Sequence, residues 1–88
     1  MLTSGQIRGA RGFLDISQIE LSRATGIGID TIRKIEADEE NIEQARTITI
    51  KKVKEFLESK GIKFLSSQED NNGAGVRYYK PSLPSNDF

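Results

Sequence analysis

Neither a cysteine nor a histidine occurs among the 88 residues, which removes the thiolate nucleophile, the imidazole base, the disulfide framework and the usual zinc site in one step. The chemistry left to this chain is non-covalent, carried by guanidinium and ammonium groups, hydroxyls, carboxamides and the backbone. Arg33 and Lys34 stand side by side in the run Ile29 to Ile35. An arginine presents two parallel donors to a phosphate or a base edge, and a lysine adds a point charge. Further on, Arg46, Thr47 and Thr49 stand at the start of a helical segment whose first amides have no partner inside the helix, a combination that can clamp a phosphate. With no nucleophile, base or metal-ligand set, an enzymatic role is not expected and no cofactor is implied. Asp70-Asn71-Asn72-Gly73 lacks the later ligands of a calcium loop.

Two short helices must hold the first group. Ser17, with Glu20 three residues later, spells a capping box: the hydroxyl accepts from the amide of Glu20, and that carboxylate accepts from the serine amide. A helix therefore starts at Gln18, with Ile19, Leu21, Ala24 and Ile27 as its apolar side. Gly26 supplies the positive backbone torsion that lets the chain turn. In the second helix Ile29, Ile32 and Ile35 recur three apart, while Asp30, Arg33 and Lys34 project elsewhere. A preceding helix begins at Thr3 or Ser4, with Thr3 and Gln6 as a second candidate box, and brings Ile7, Ala10, Arg11 and Leu14 to one face. Gly5, Gly9 and Gly12 each cost that helix about 1 kcal/mol relative to alanine, so it depends on tertiary packing. Phe13 and Leu14 are expected to pack under the two helices that follow.

This stretch resembles the helix-turn-helix of the phage-repressor and Cro type, also called the Xre family. The residues that carry the resemblance are Gln18, Glu20, Leu21, Gly26, Ile32, Ile35 and Glu36, in the pattern Q-x-E-L-x-x-x-x-G followed by x5-I-x-x-[LI]-E. The resemblance covers Gln6 to about Gly61 and implies a mainly α, four-helix DNA-binding domain whose first motif helix crosses the DNA backbone while the second enters the major groove. It implies that Gln18 meets a phosphate or a base edge, and that Gly28, Ile29, Asp30, Arg33 and Lys34 supply groove contacts, with Thr31 donating to phosphate. It also implies that Arg11 pairs with Glu36, a structural role that spares the arginine an uncompensated position on the inward side of its helix. Ile29 offers only apolar contact, and Asp30 repels phosphate unless it accepts from a cytosine amino group.

The rest of the chain completes one small domain. Ala37 to Ala45 is polar, acidic and weakly periodic, which reads as a loop with at most one helical turn. A fourth helix follows from about Thr49 to Ser59, capped by Thr47 or Thr49, with Ile50, Val53, Phe56 and Leu57 buried and Gly61 ending it. After that the period becomes two: Ile62 to Leu65 and Gly75 to Tyr79 read as strands around an Asn72-Gly73 turn signal, and Lys80 to Phe88 as a disordered tail. The organisation expected is thus a helix-turn-helix domain over 3–60, β-strands over 61–79 and a tail over 80–88.

Thirteen basic and thirteen acidic side chains cancel, which is unusual for a DNA binder. The charges are segregated, however. Arg46 to Lys63 carries Arg46, Lys51, Lys52, Lys54, Lys60 and Lys63 against Glu55 and Glu58, whereas Glu36 to Glu43 carries Glu36, Asp38, Glu39, Glu40 and Glu43 with no base. The leading expectation is a sequence-specific transcriptional regulator, a repressor by operator occupancy, whose partner is double-stranded DNA. The alternative is a protein-interaction module, antitoxin-like or adaptor, in which the acidic stretch and Ile29 meet a partner protein. Short strands with open edges also predict a homodimer through Ile62, Phe64, Val76 and Tyr78, the alternative being a hairpin that folds back on its own helices. No apolar run suits a signal peptide or a membrane span, so a cytoplasmic location is expected.

Overall fold

The computed structural model describes residues 2–66 and 73–79. Five helices, α1 (Ser4–Leu14), α2 (Gln18–Thr25), α3 (Ile29–Ala37), α4 (Glu39–Gln44) and α5 (Thr47–Ser59), precede two strands, β1 (Ile62–Leu65) and β2 (Gly75–Tyr78). The anticipated tail over 80–88 and most of the turn between the strands lie outside the described residues. Among those described, no helix is long and apolar enough to cross a membrane.

Both capping boxes form. Thr3 accepts from the Gln6 amide while its own N–H donates to the Gln6 carboxamide, and Ser17 and Glu20 exchange the same pair of bonds. Asp15, at φ 55°, ends α1 in the left-handed region, and Gly26, at φ 75°, ends α2. Aspartate tolerates that conformation better than most side chains, which is why α1 can stop without a glycine. The helices converge through Ile7, Ala10, Leu21, Ile32, Ile35, Val53 and Leu57, all effectively sealed from water. Each of the valine, leucine and isoleucine side chains among them contributes roughly 1.5–3 kcal/mol of transfer free energy.

Several expectations require correction. Ala37 to Ala45 is not a loop: Asp38 accepts from the Asn41 amide at 2.8 Å and opens α4, and Ile42 drops into the core. One apolar anchor in an acidic run leaves almost no periodic signal, so the cap was the only clue. The domain accordingly has five helices, not four. The last of them begins at Thr47, with Arg46 at its N-cap and no side-chain cap bond, so neither Thr47 nor Thr49 is a cap. Phe13 and Ile19 are not core residues either, being 55% and 49% exposed. Phe13 instead stacks on Tyr78 with ring centroids 6.0 Å apart.

The strands pair with each other, antiparallel, in the register Ile62↔Tyr78, Lys63↔Arg77, Phe64↔Val76 and Leu65↔Gly75. Alternation turns Ile62, Phe64, Val76 and Tyr78 to one face, which packs on the helical core. Gly9 of α1 lies under Val76, whose Cγ2 would stand 3.7 Å from an added Cβ. At the helix exit Gly61 has φ 103°, and an added Cβ would sit 2.3 Å from the Tyr79 carbonyl oxygen, so only glycine fits. Gln6 then fastens the far end. Its Nε2 donates at 2.8 Å to the carbonyls of both Leu65 and Gly75.

Candidate functional site

The first turns of the helices fall into two kinds. α1, α2 and α4 each have a side-chain oxygen accepting from an early amide, whereas α3, with Gly28 at its N-cap, and α5, with Arg46, have none. The uncapped helices and their N-caps carry the residues singled out for anion and groove contacts, except Gln18, which stands on the capped α2.

On α3, Ile32, Ile35 and Glu36 face inward, and Asp30, Thr31, Arg33 and Lys34 face solvent together with Gly28. Ile29 is half-buried. A three- and four-residue repeat of isoleucine sets that division, because it fixes which stripe the core takes. Arg33 and Asp30 approach only to 3.8 Å, with side chains 58% and 88% exposed, so the arginine remains available to another acceptor. The α2–α3 turn that aims this face is internally braced: Ser22 donates to the Ile27 carbonyl, Thr25 donates to the Leu21 carbonyl, and the Ile27 amide donates to the Thr25 hydroxyl.

Beneath that face the two motif helices are tied to α1. Glu36 is 3% exposed, and its carboxylate accepts from Arg11 Nε at 3.0 Å and Nη2 at 2.9 Å, a two-pronged pair. Arg11 Nη1 donates to the Ile16 carbonyl at 3.0 Å, and Arg8 donates to the Glu36 carbonyl. Ser4, fully buried, has its hydroxyl 2.6 Å from the Ile35 carbonyl and 2.7 Å from that of Asp38. Ser4, Gln6 and Arg8 were not singled out for these tertiary bonds. The sequence clue for Gln6 was its spacing from Thr3; nothing local marked the other two.

Gln18 is where the geometry departs most from expectation. Its carboxamide donates to Glu36 at 3.2 Å, so in the free protein the side chain turns inward onto the ion pair instead of outward. Arg46 and Thr47 are exposed and Thr49 half-buried at the open end of α5, which packs chiefly on α2 and β1. These three therefore form a group separate from the α3 face.

Ile62, Phe64, Val76 and Tyr78 all turn their side chains to the chain's own core. What the hairpin offers a second copy is its main-chain edges and its outer face. On that face Arg77 donates to the Tyr79 hydroxyl at 3.1 Å, and this bond, aided by the positive charge of Arg77 and Lys63, holds the phenol below its ordinary pKa.

The chain matches no protein-family model, and no curated protein and no solved structure matches it.

Proposed function

We propose that this protein is a sequence-specific DNA-binding regulator of the phage-repressor kind, without enzymatic activity, that represses by occupying an operator as a homodimer. The observation that carries this reading is the α3 face. Asp30, Thr31, Arg33 and Lys34 stand exposed at and after an uncapped helix start, on a helix whose opposite side is anchored by Ile32, Ile35 and the Arg11–Glu36 pair. Open amides and a positive helix end attract phosphate, while Arg33 and Lys34 reach past it. Arg46, Thr47 and Thr49 at the uncapped start of α5 supply a second phosphate clamp. Gln18 serves from the first turn of α2, exchanging Glu36 for a phosphate or a base edge on docking.

The homodimer forms along the outer edge of β2, which pairs with no further strand among the described residues. Phe13, at 55% exposure, and Tyr79, at 54%, lie beside that strand and would be covered by a second copy, while lysines border the other edge. Two half-site contacts joined in this way compensate for a neutral net charge.

Binding to selected and random duplexes across a salt series tests the reading. Log affinity should fall with log salt by roughly 0.9 per phosphate neutralised. Arg33→Ala and Lys34→Ala should each weaken binding at an unchanged melting temperature; no binding to any duplex at low salt refutes the proposal. One observation favours the protein-interaction alternative: the exposed carboxylate of Asp30 follows half-buried Ile29 in the first turn of α3, a pairing better suited to a protein surface than to phosphate.

A further inference from the structure

The Tyr79 amide donates to the Gly61 carbonyl at 2.7 Å, which makes that pair a hydrogen-bonded rung of the ladder. Rungs alternate in an antiparallel pair, so Lys63↔Arg77 and Leu65↔Gly75 exchange bonds, and the main-chain groups of Ile62 and Phe64 point away from β2. The sheet has two strands, and among the described residues none lies beyond β1.

A groove of about 620 Å³ lies along the part of this edge formed by Lys63, Phe64 and Ser66. Lys63 and Phe64 both line it although they point to opposite faces of the strand, and no residue of β2 does, so it follows the outer edge and not the inner face. Its floor is apolar, formed by Leu2, Ile42, Ile50 and Phe64, and its rim carries Lys51, Lys54 and Lys63 against Glu43 and Glu58. Among the described residues none of these lysines is in an ion pair. Gln6 holds the end of β1 through the Leu65 carbonyl, so the edge is fixed in advance of any ligand.

We infer that the outer edge of β1 receives an added strand from a partner protein, an extended segment in which apolar and acidic residues alternate. Main-chain bonds to Ile62 and Phe64 would supply affinity. Alternation would send one set of side chains to the apolar floor and the other to the lysine rim. A second copy of this strand fits poorly, because it would bring its own Lys63 to an already positive border, and an edge lysine is a common guard against self-pairing. No residue of α3 lines the groove, so the inference shares with the DNA-binding reading only Thr47, at the start of α5.

The test uses the full chain and a fluorescein-labelled, acetylated hexapeptide of alternating valine and glutamate, followed by anisotropy and by amide chemical shifts. The expected result is saturable binding with shifts concentrated at Ile62 and Phe64. Replacing the peptide's glutamates by lysine, or N-methylating the residues that face the strand edge, should abolish it. Lys51→Glu combined with Lys54→Glu should weaken it by about tenfold or more, with the melting temperature checked in parallel. Absence of saturable binding overturns the inference, as does equal binding of the N-methylated or lysine peptide. If the Ile62 and Phe64 amides shift on dilution without peptide, the edge belongs to a second copy and the inference falls.

Discussion

The starts of α2 and α3, separated only by α2 itself and the turn Gly26 to Gly28, are built on opposite lines. At α2 the polar side chains of the first turn are answered from within: Ser17 and Glu20 close the box, and Gln18 donates to Glu36. At α3 the N-cap is a glycine without a side chain to offer, and Asp30, Thr31, Arg33 and Lys34 follow it exposed to solvent. The same division separates α1, tied down through Thr3, Ser4 and Gln6, from α5, whose N-cap Arg46 makes no cap bond. A small domain with little core to spare gains stability where it closes a helix end and gives it up where it leaves one open. The open ends are therefore where an external anion has most to contribute.

The strongest way to break this contrast is to cut the tie beneath both helices. Arg11→Ala leaves the Glu36 carboxylate, with its side chain 2% exposed, short of its main partner, whereas Glu36→Ala frees an arginine that is 23% exposed and can turn to water. Losses of about 3–5 kcal/mol are typical for an uncompensated buried charge, so Arg11→Ala should fall in that range and Glu36→Ala below it. In urea melts the double variant should lose less than the sum of the two. Strict additivity would show that the pair does not act as a unit.

Next in size is the tie at the start of α1. Gln6→Ala removes a capping partner and leaves two strand-end carbonyls without their shared donor, which should cost about 1–3 kcal/mol. Hydrogen exchange should then speed up in β1 and β2 before it does in α3. Uniform acceleration throughout the domain would argue that the hairpin is not separately fastened by Gln6.

Much of this contrast was legible from spacing alone, since Thr3 to Gln6 and Ser17 to Glu20 are local signals and Gly26 marks a local turn. The strands were legible too, because the switch to period two after Gly61 is a property of consecutive residues. What escaped depended on distant parts of the chain. Ile19 and Phe13 sit on apolar-looking stripes, yet the stripe is wider than the surface available to cover it. α4 was hidden because Ile42 is its only core residue in an acidic stretch. The inward turn of Gln18 depends on Glu36, eighteen positions away, and no local rule reports which of two acceptors a carboxamide will choose.

A smaller change can convert the open end into a closed one. Gly28 lies at φ −58° and ψ 146°, with open space where a Cβ would go, so Gly28→Ser is sterically free to cap α3. Capping and the loss of glycine's unfolded-state freedom should together raise stability by about 0.5–1 kcal/mol. If the amides of α3 serve phosphate, duplex affinity should drop in the same variant, because the serine hydroxyl now occupies them. A stabilised variant with undiminished affinity would remove the N-terminus of α3 from the interface.

The mildest perturbation is protonation at the closed end of α2. Bonds from the backbone N–H and then the hydroxyl of Ser17 hold the Glu20 carboxyl below its ordinary value of 4.5. A carboxylate with a depressed folded-state pKa binds its proton more readily in the unfolded chain. Its contribution to stability is therefore complete above the unfolded value and is lost as pH falls through the lower, folded one. Because Glu20 is fully exposed, solvent screens the effect and only a shallow loss should appear in this acid window. Glu20→Gln keeps an acceptor at the same place but cannot titrate there. Its thermal stability should be lower than that of the parent near neutrality, and the gap should close as pH drops below 4.5. If the gap is instead independent of pH, the capping box at α2 owes nothing to its charge, and the electrostatic part of the contrast between the two helix starts rests on the α3 side alone.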